Sequence, residues 1–173
     1  MRSVRVTPSK VPRVPHVWSP PQIGWLKANV DGAFDASSLK GGIGIVIRDS
    51  DASVVGGMCC QLSHIPSPDL VEAYAGRLTV LLASEFHLAP IVFESDCLKV
   101  VRSTQSAEVD DSFFGTIIGD IRGNLSGLQS SYFSHVPREA NGVAHKLARF
   151  SLLSGCFHRW YGVCPSSLVP FWN

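Results

Sequence analysis

Four side chains capable of metal or proton chemistry are set along the chain, each beside small residues: Asp31 in WLKANVDGAF, Glu72 in DLVEAYAGRL, Asp96 in IVFESDC and His145 in REANGVAHKLAR. Clustered carboxylates suit phosphodiester hydrolysis, where two divalent cations roughly 3.5–4 Å apart activate water and stabilise the departing oxygen. Mg²⁺ prefers oxygen ligands and keeps several waters, so three acids suffice. A neutral imidazole at His145 adds no negative charge and suits Mn²⁺ or Zn²⁺ better than Mg²⁺. Each residue also has a plainer reading. Asp31 could cap a strand end, Glu72 could balance a helix dipole, Asp96 could be a helix N-cap, and His145 could be a packing histidine. Spacing alone leaves these alternatives open.

The elements that would position these groups are legible. Trp25 to Asp31 alternates, with Leu26, Ala28 and Val30 on one face and Lys27, Asn29 and Asp31 on the other. Gly41 and Gly42 open a second strand to Arg48, and Asp49-Ser50-Asp51 turns the chain into a third, from Val54 to about Leu62. Ser67-Pro68-Asp69 predicts a helix start with a capping hydroxyl, and that helix runs to about His87. Ile91 to Ser95 is a strand reached by a helical crossover, which implies parallel pairing, and Asp96 lies at its C-terminal end. Glu94, two residues earlier, reads as flanking. Short helices follow over 97–103 and 112–125, the second with Phe113, Phe114, Ile117, Ile118 and Ile121 at helical spacing. A final strand is expected over 129–135, then a helix from Glu139 to about Leu153 burying Val143, Leu147 and Phe150. Asn141 and His145 would share a face of that helix. His135 sits on the loop before it, where a histidine could move protons during product release. The fold class is α/β, a mixed sheet with helices on its faces.

Composition limits the alternatives. With 173 residues, 45% hydrophobic and 17% charged, the chain suits one well-buried domain with a tail. Three regions are expected: a Pro-rich basic arm over 1–23, the α/β domain over 24–154 and an aromatic tail over 155–173. The tail, proline-broken, is expected to pack as an irregular flap over the sheet or final helix. A net charge of +1 supplies no broad basic field, so nucleic-acid affinity would depend on local Lys and Arg placement. Five cysteines without a C-x-x-C pair fit reduced thiols in a nuclear or cytoplasmic setting and argue against a zinc site. No apolar run reaches a membrane span. The acid-free first 30 residues, with Arg2, Arg5, Lys10, Arg13 and Lys27, leave organellar targeting open beside the extended linker.

Taken together, WLKANVDGAF, GGIGIVIRDS, EAYAGRL, FESDCLKVV and HVPREANGVAHKLAR resemble type 1 ribonuclease H from about Pro21 to Leu153, especially its plant relatives derived from non-LTR retroelements. The resemblance implies a central five-stranded mixed sheet, three antiparallel strands then two parallel, flanked by helices. It also implies a Mg²⁺- or Mn²⁺-dependent endonuclease, with two ions, that cleaves the RNA strand of RNA/DNA hybrids and leaves a 3′-hydroxyl and a 5′-phosphate. By matching position, Asp31, Glu72 and Asp96 are the metal-binding carboxylates, with Asp96 between both ions. His135 is the mobile histidine, and Asn141 precedes the fourth ligand by one helical turn. His145 stands where most members carry aspartate, and histidine occurs there in some plant members. Backbone groups at Gly32 and Ala33 are expected against the hybrid minor groove, with Arg138 on a phosphate and Asn141 also toward substrate. The lysine-rich protrusion of bacterial members is missing, and segment 97–127 offers only Lys99, Arg102 and Arg122 as cations. Three functional readings follow: an active hybrid-specific nuclease, a catalytically impaired nucleic-acid- or protein-binding descendant, or an inert remnant. The expected protein is a monomer, with further domains of a reverse-transcriptase polyprotein as its natural context.

Overall fold

The computed structural model describes residues 16–172. The expectations for Arg2, Arg5, Lys10, Arg13 and the prolines at 12 and 15 fall outside them. The chain runs β1 (Leu26–Asp35), β2 (Lys40–Arg48), β3 (Val54–Ser63), α1 (Pro68–Glu85), β4 (Ile91–Ser95), α2 (Leu98–Gln105), α3 (Phe113–Leu125), β5 (Tyr132–His135), a 3-10 turn (Arg138–Asn141), α4 (Gly142–Ser154), β6 (Phe157–Tyr161) and a 3-10 segment (Ser166–Trp172).

A single mixed sheet holds the strands in the order β5-β4-β1-β2-β3-β6. β1, β2 and β3 form the expected antiparallel meander, and β4 and β5 add in parallel on the far side of β1. Among the described residues the sheet has six strands where five were expected. The sixth comes from the tail: Phe157–Tyr161 pairs antiparallel with β3, Cys59 opposite His158. The free edge of β3 offers a row of backbone donors and acceptors, and the tail satisfies them. Only the segment beyond it is flap-like, with Phe171 against Phe150 of α4 at a ring separation of 5.1 Å.

Helices α1, α2 and α3 cover one face, over a core that includes Val30, Ile43, Ile45, Val71, Phe93 and Ile121. Helix α4 and the tail cover the other, around Val46, Cys59, Leu147, Trp160 and Leu168. The α4 face is approached closely because β2 presents glycines. A Cβ on Gly44 would lie 2.2 Å from the carbonyl oxygen of Ala144, and one on Gly42 would lie 2.1 Å from that of Ala148. Backbone therefore packs on backbone where α4 crosses β2.

Several local expectations are corrected. Ser67 occupies the N-cap of α1 with extended backbone but makes no side-chain capping bond. The final helix does not begin at Glu139, because Arg138–Asn141 is a tighter 3-10 turn that feeds α4. Of the apolar set expected in α3, Ile117, Ile118 and Ile121 are buried, whereas Phe113 is 58% exposed. No helix among the described residues is long and apolar enough to cross a membrane.

Candidate active site

β1 and β4 run in parallel with Val30 opposite Ser95, so Asp31 and Asp96 are the next residues along neighbouring strands. This is the C-terminal edge of the parallel pair, where α/β folds gather ligands. Asp31 also lies opposite Gly44 in the β1–β2 register. That glycine lets α4 settle onto the sheet, and His145 Nδ1 lies 2.7 Å from Asp31 Oδ2. Against an ionised carboxylate this nitrogen donates.

Glu72 arrives from the other helical layer. A Cβ on Gly32 would meet Val71 at 2.9 Å and the Glu72 amide nitrogen at 3.1 Å, so α1 touches β1 at this point. The Gly32 backbone N–H supports the Glu72 carboxylate. Gly32 thus makes room for α1 and stays partly exposed, while Ala33 is buried.

The electrostatics record three acids crowded together. Burial, then the Asp96 carboxylate, push the Asp31 acid up to about 6, against lowering by His145. Burial, then Asp31 and Asp96, push the Glu72 acid up to about 9. Arg138, 69% exposed at its side chain, offers partial compensation with Nε 3.5 Å from Asp96 Oδ2.

Asn141 departs from its expected role. It is 1% exposed, and its side-chain nitrogen donates to the Val30 carbonyl at 2.9 Å and to Asp96 Oδ1 at 3.1 Å. A side chain so enclosed holds the protein, not substrate. His135 is exposed at the end of β5, on the segment leading to Arg138, and is not drawn into the acidic group. Residues to which the sequence reading gave no role lie beneath the site. Asn29, Glu94, Arg48 and Lys27 form a buried polar network joined to Asn141. The available signal was the Lys27/Asn29/Asp31 face, polar along a central strand.

A divalent cation is the implied occupant. Among the described residues, no three Asp, Glu, His or Cys side chains are close enough in this arrangement to form a ready metal cage. Asp31 is instead engaged by His145, and Asp96 by Asn141. The donor chemistry still fits: three carboxylates, two of them raised by burial and then by their neighbours' charge, make an environment that a hard cation relieves.

Sheet order, helical layers and the position of the acids define a ribonuclease H-like domain. Residues 29–151 match the family described as "Reverse transcriptase-like", and the chain belongs to that family. A curated Arabidopsis thaliana protein, named as a putative ribonuclease H protein, is 27% identical over 150 residues, covering 85% of this chain and 24% of its own length. The chain therefore spans about a quarter of that relative. Ribonuclease H1 of the archaeon Halobacterium salinarum matches with a TM-score of 0.69 at 22% identity, over 76% of this chain and 99% of its own. LC11 ribonuclease H1, isolated from compost and solved with an RNA/DNA hybrid, matches with a TM-score of 0.67 at 18% identity, over 75% and 97%. These structural likenesses show a common fold.

Proposed function

We propose that this domain is a divalent-metal-dependent endoribonuclease acting on the RNA strand of RNA/DNA hybrids. The observation that carries the reading is the meeting of Asp31 and Asp96 just past the C-terminal end of the β1–β4 pairing, with Glu72 brought in from α1. Asp31, Glu72 and Asp96 would hold Mg²⁺ or Mn²⁺, which supplies activation of water and stabilisation of the leaving oxygen.

The chain's own groups divide the remaining work. Asn141 fixes Asp96 through Oδ1 and leaves Oδ2 directed toward Arg138. Arg138, exposed beside the acids, is placed to meet a backbone phosphate. His135, exposed three residues before Arg138, would take or deliver a proton at the departing product. His145 holds Asp31 from the α4 side, either as a further metal ligand or as the group that keeps this carboxylate oriented. The hybrid-bound LC11 structure supports the substrate class by fold, and the family and Arabidopsis likeness support a retroelement origin in plants. A monomer embedded in a longer polyprotein, working in nucleus or cytoplasm, completes the proposal.

One observation favours a second reading, a domain that binds without cleaving. His145 already occupies Asp31 and brings no negative charge where a fourth carboxylate would strengthen cation binding. Incubation with labelled RNA/DNA hybrid in Mg²⁺ and in Mn²⁺ separates the two. Cleavage of the RNA strand alone, abolished by Asp31→Asn or Asp96→Asn, is the expected result. A silent parent revived by His145→Asp would select the impaired domain. Silence of the parent and of His145→Asp, both folded, would sink the nuclease reading.

A further inference from the structure

Beneath the acidic edge, a chain of buried amides carries hydrogen-bond polarity from two charged groups to Asp96. Arg48 Nη2 lies 2.8 Å from Asn29 Oδ1. A guanidinium can only donate, so the atom facing it must be the amide oxygen. The Asn29 nitrogen then faces Glu94 Oε2 at 2.9 Å and Asn141 Oδ1 at 3.2 Å. A carboxylate can only accept, so the Glu94 contact enforces the same orientation from the opposite side. Asn141 must in turn present its oxygen to Asn29, which directs its nitrogen to Val30 and Asp96. The reverse rotamer would set the Asn141 oxygen against a carbonyl and a carboxylate, acceptor against acceptor.

The charged end of the chain is itself held. The Trp18 ring lies over Arg48 with 3.5 Å from the guanidinium carbon to the ring centroid. Lys27 Nζ pairs with Glu94 at 2.9 Å and donates to the Ser19 carbonyl at 2.7 Å. Asn29 is fully buried, and Arg48 and Glu94 are 8% and 7% exposed, so bulk water has little room to replace a missing partner.

We propose that Asn29 is a positioning residue for the reaction: Arg48 and Glu94 fix the polarity of its amide, and Asn29 thereby turns the Asn141 N–H groups onto Asp96. The role rests on Asp96 serving the hydrolytic site proposed above. Asp96 Oδ1 is held by the relay, and Oδ2 faces the exposed Arg138. Trp18 and Ser19 make the segment before β1 part of this support.

The test replaces polarity without changing shape. Asn29→Asp removes the donor, and Asn29→Asp combined with Glu94→Gln relieves the carboxylate clash while leaving Asn141 without its donor partner. For the folded double variant, kcat on the hybrid should fall by about a hundredfold at unchanged KM, as for a misplaced catalytic group. In the protein without hybrid, the Asn141 side-chain amide protons, read by NMR, should exchange about tenfold faster than in the parent. Parent-like amide protection in the double variant would overturn the relay, as would a parent-like kcat. If the parent itself does not cleave, the hydrolytic reading fails separately, and amide protection alone then upholds or overturns the Asn29–Asn141 coupling.

Discussion

Burial, and then neighbouring carboxylates, raise the proton affinity of Asp31 and Glu72, which gives the metal-free domain a directional pH response. Their acids stand at about 6 and about 9 in the fold against ordinary values of 3.8 and 4.5. Burial is the first cause for both. A raised acid binds its proton more tightly folded than unfolded, so its favourable contribution is complete below the unfolded value and is lost as pH rises through the folded one. With a chelator present, the melting temperature should therefore decline as pH rises from about 4 to about 9, Asp31 acting in the lower part and Glu72 across the whole span. Glu72→Gln should flatten the upper part of that decline. Calorimetric scans across the range check both statements; a melting temperature that rises over the same interval would show that the acids are not crowded. Adding Mg²⁺ at the alkaline end should restore stability, because cation binding favours the ionised carboxylates and is linked to the folded state.

At the scale of elements, the approach of α4 to β2 determines whether His145 reaches Asp31. Gly44→Ala places a methyl 2.2 Å from the Ala144 carbonyl oxygen and 2.4 Å from the Ala148 nitrogen, both backbone atoms that cannot turn aside. Helix α4 must lift, at a cost of about 1–3 kcal/mol by the usual range for overpacking. Urea denaturation should show this loss, with hybrid cleavage reduced beyond it because the His145–Asp31 contact opens. Gly119→Ala in α3 has the opposite sign. Nothing lies within 4 Å of its added Cβ, and the position is an exposed helix interior, so stability should rise by about 1 kcal/mol. Much of this element order was legible because it is local: alternation marks β1, glycine punctuation marks β2, and Pro68 marks the start of α1. Strand β6 was not legible, since Phe157–Tyr161 is a strand by virtue of the β3 edge, with Cys59 paired to His158 across a long stretch of chain. The acids could be picked out by type and order. The support under them could not, because the partners of Asn29 lie 19, 65 and 112 residues away.

For the molecule as a whole, the tail determines whether the α4 layer is braced or merely laid on the sheet. Trp160 is 5% exposed and Leu168 fully buried, in one cluster with Val46 of β2, Cys59 of β3 and Leu147 of α4. Gly57 leaves the space for the indole, since a Cβ there would fall 2.5 Å from the Trp160 ring. The tail therefore closes the same core that seats the helix carrying His145. Trp160→Ala should cost about 3–5 kcal/mol, the range for emptying a buried aromatic site. Circular dichroism and hybrid cleavage should then be lost together in one transition at a lower urea concentration, as expected for a single cooperative unit. Val163→Ala, at an 89% exposed position in the same tail, should shift that transition by no more than about 0.5 kcal/mol. If the tail were an independent appendage, Trp160→Ala would leave the main transition and the cleavage midpoint where they are in the parent. Coincident shifts of both would instead make residues 157–172 a structural part of the layer that carries His145, so that shortening the chain at Ser154 would weaken the candidate site without touching any residue in it.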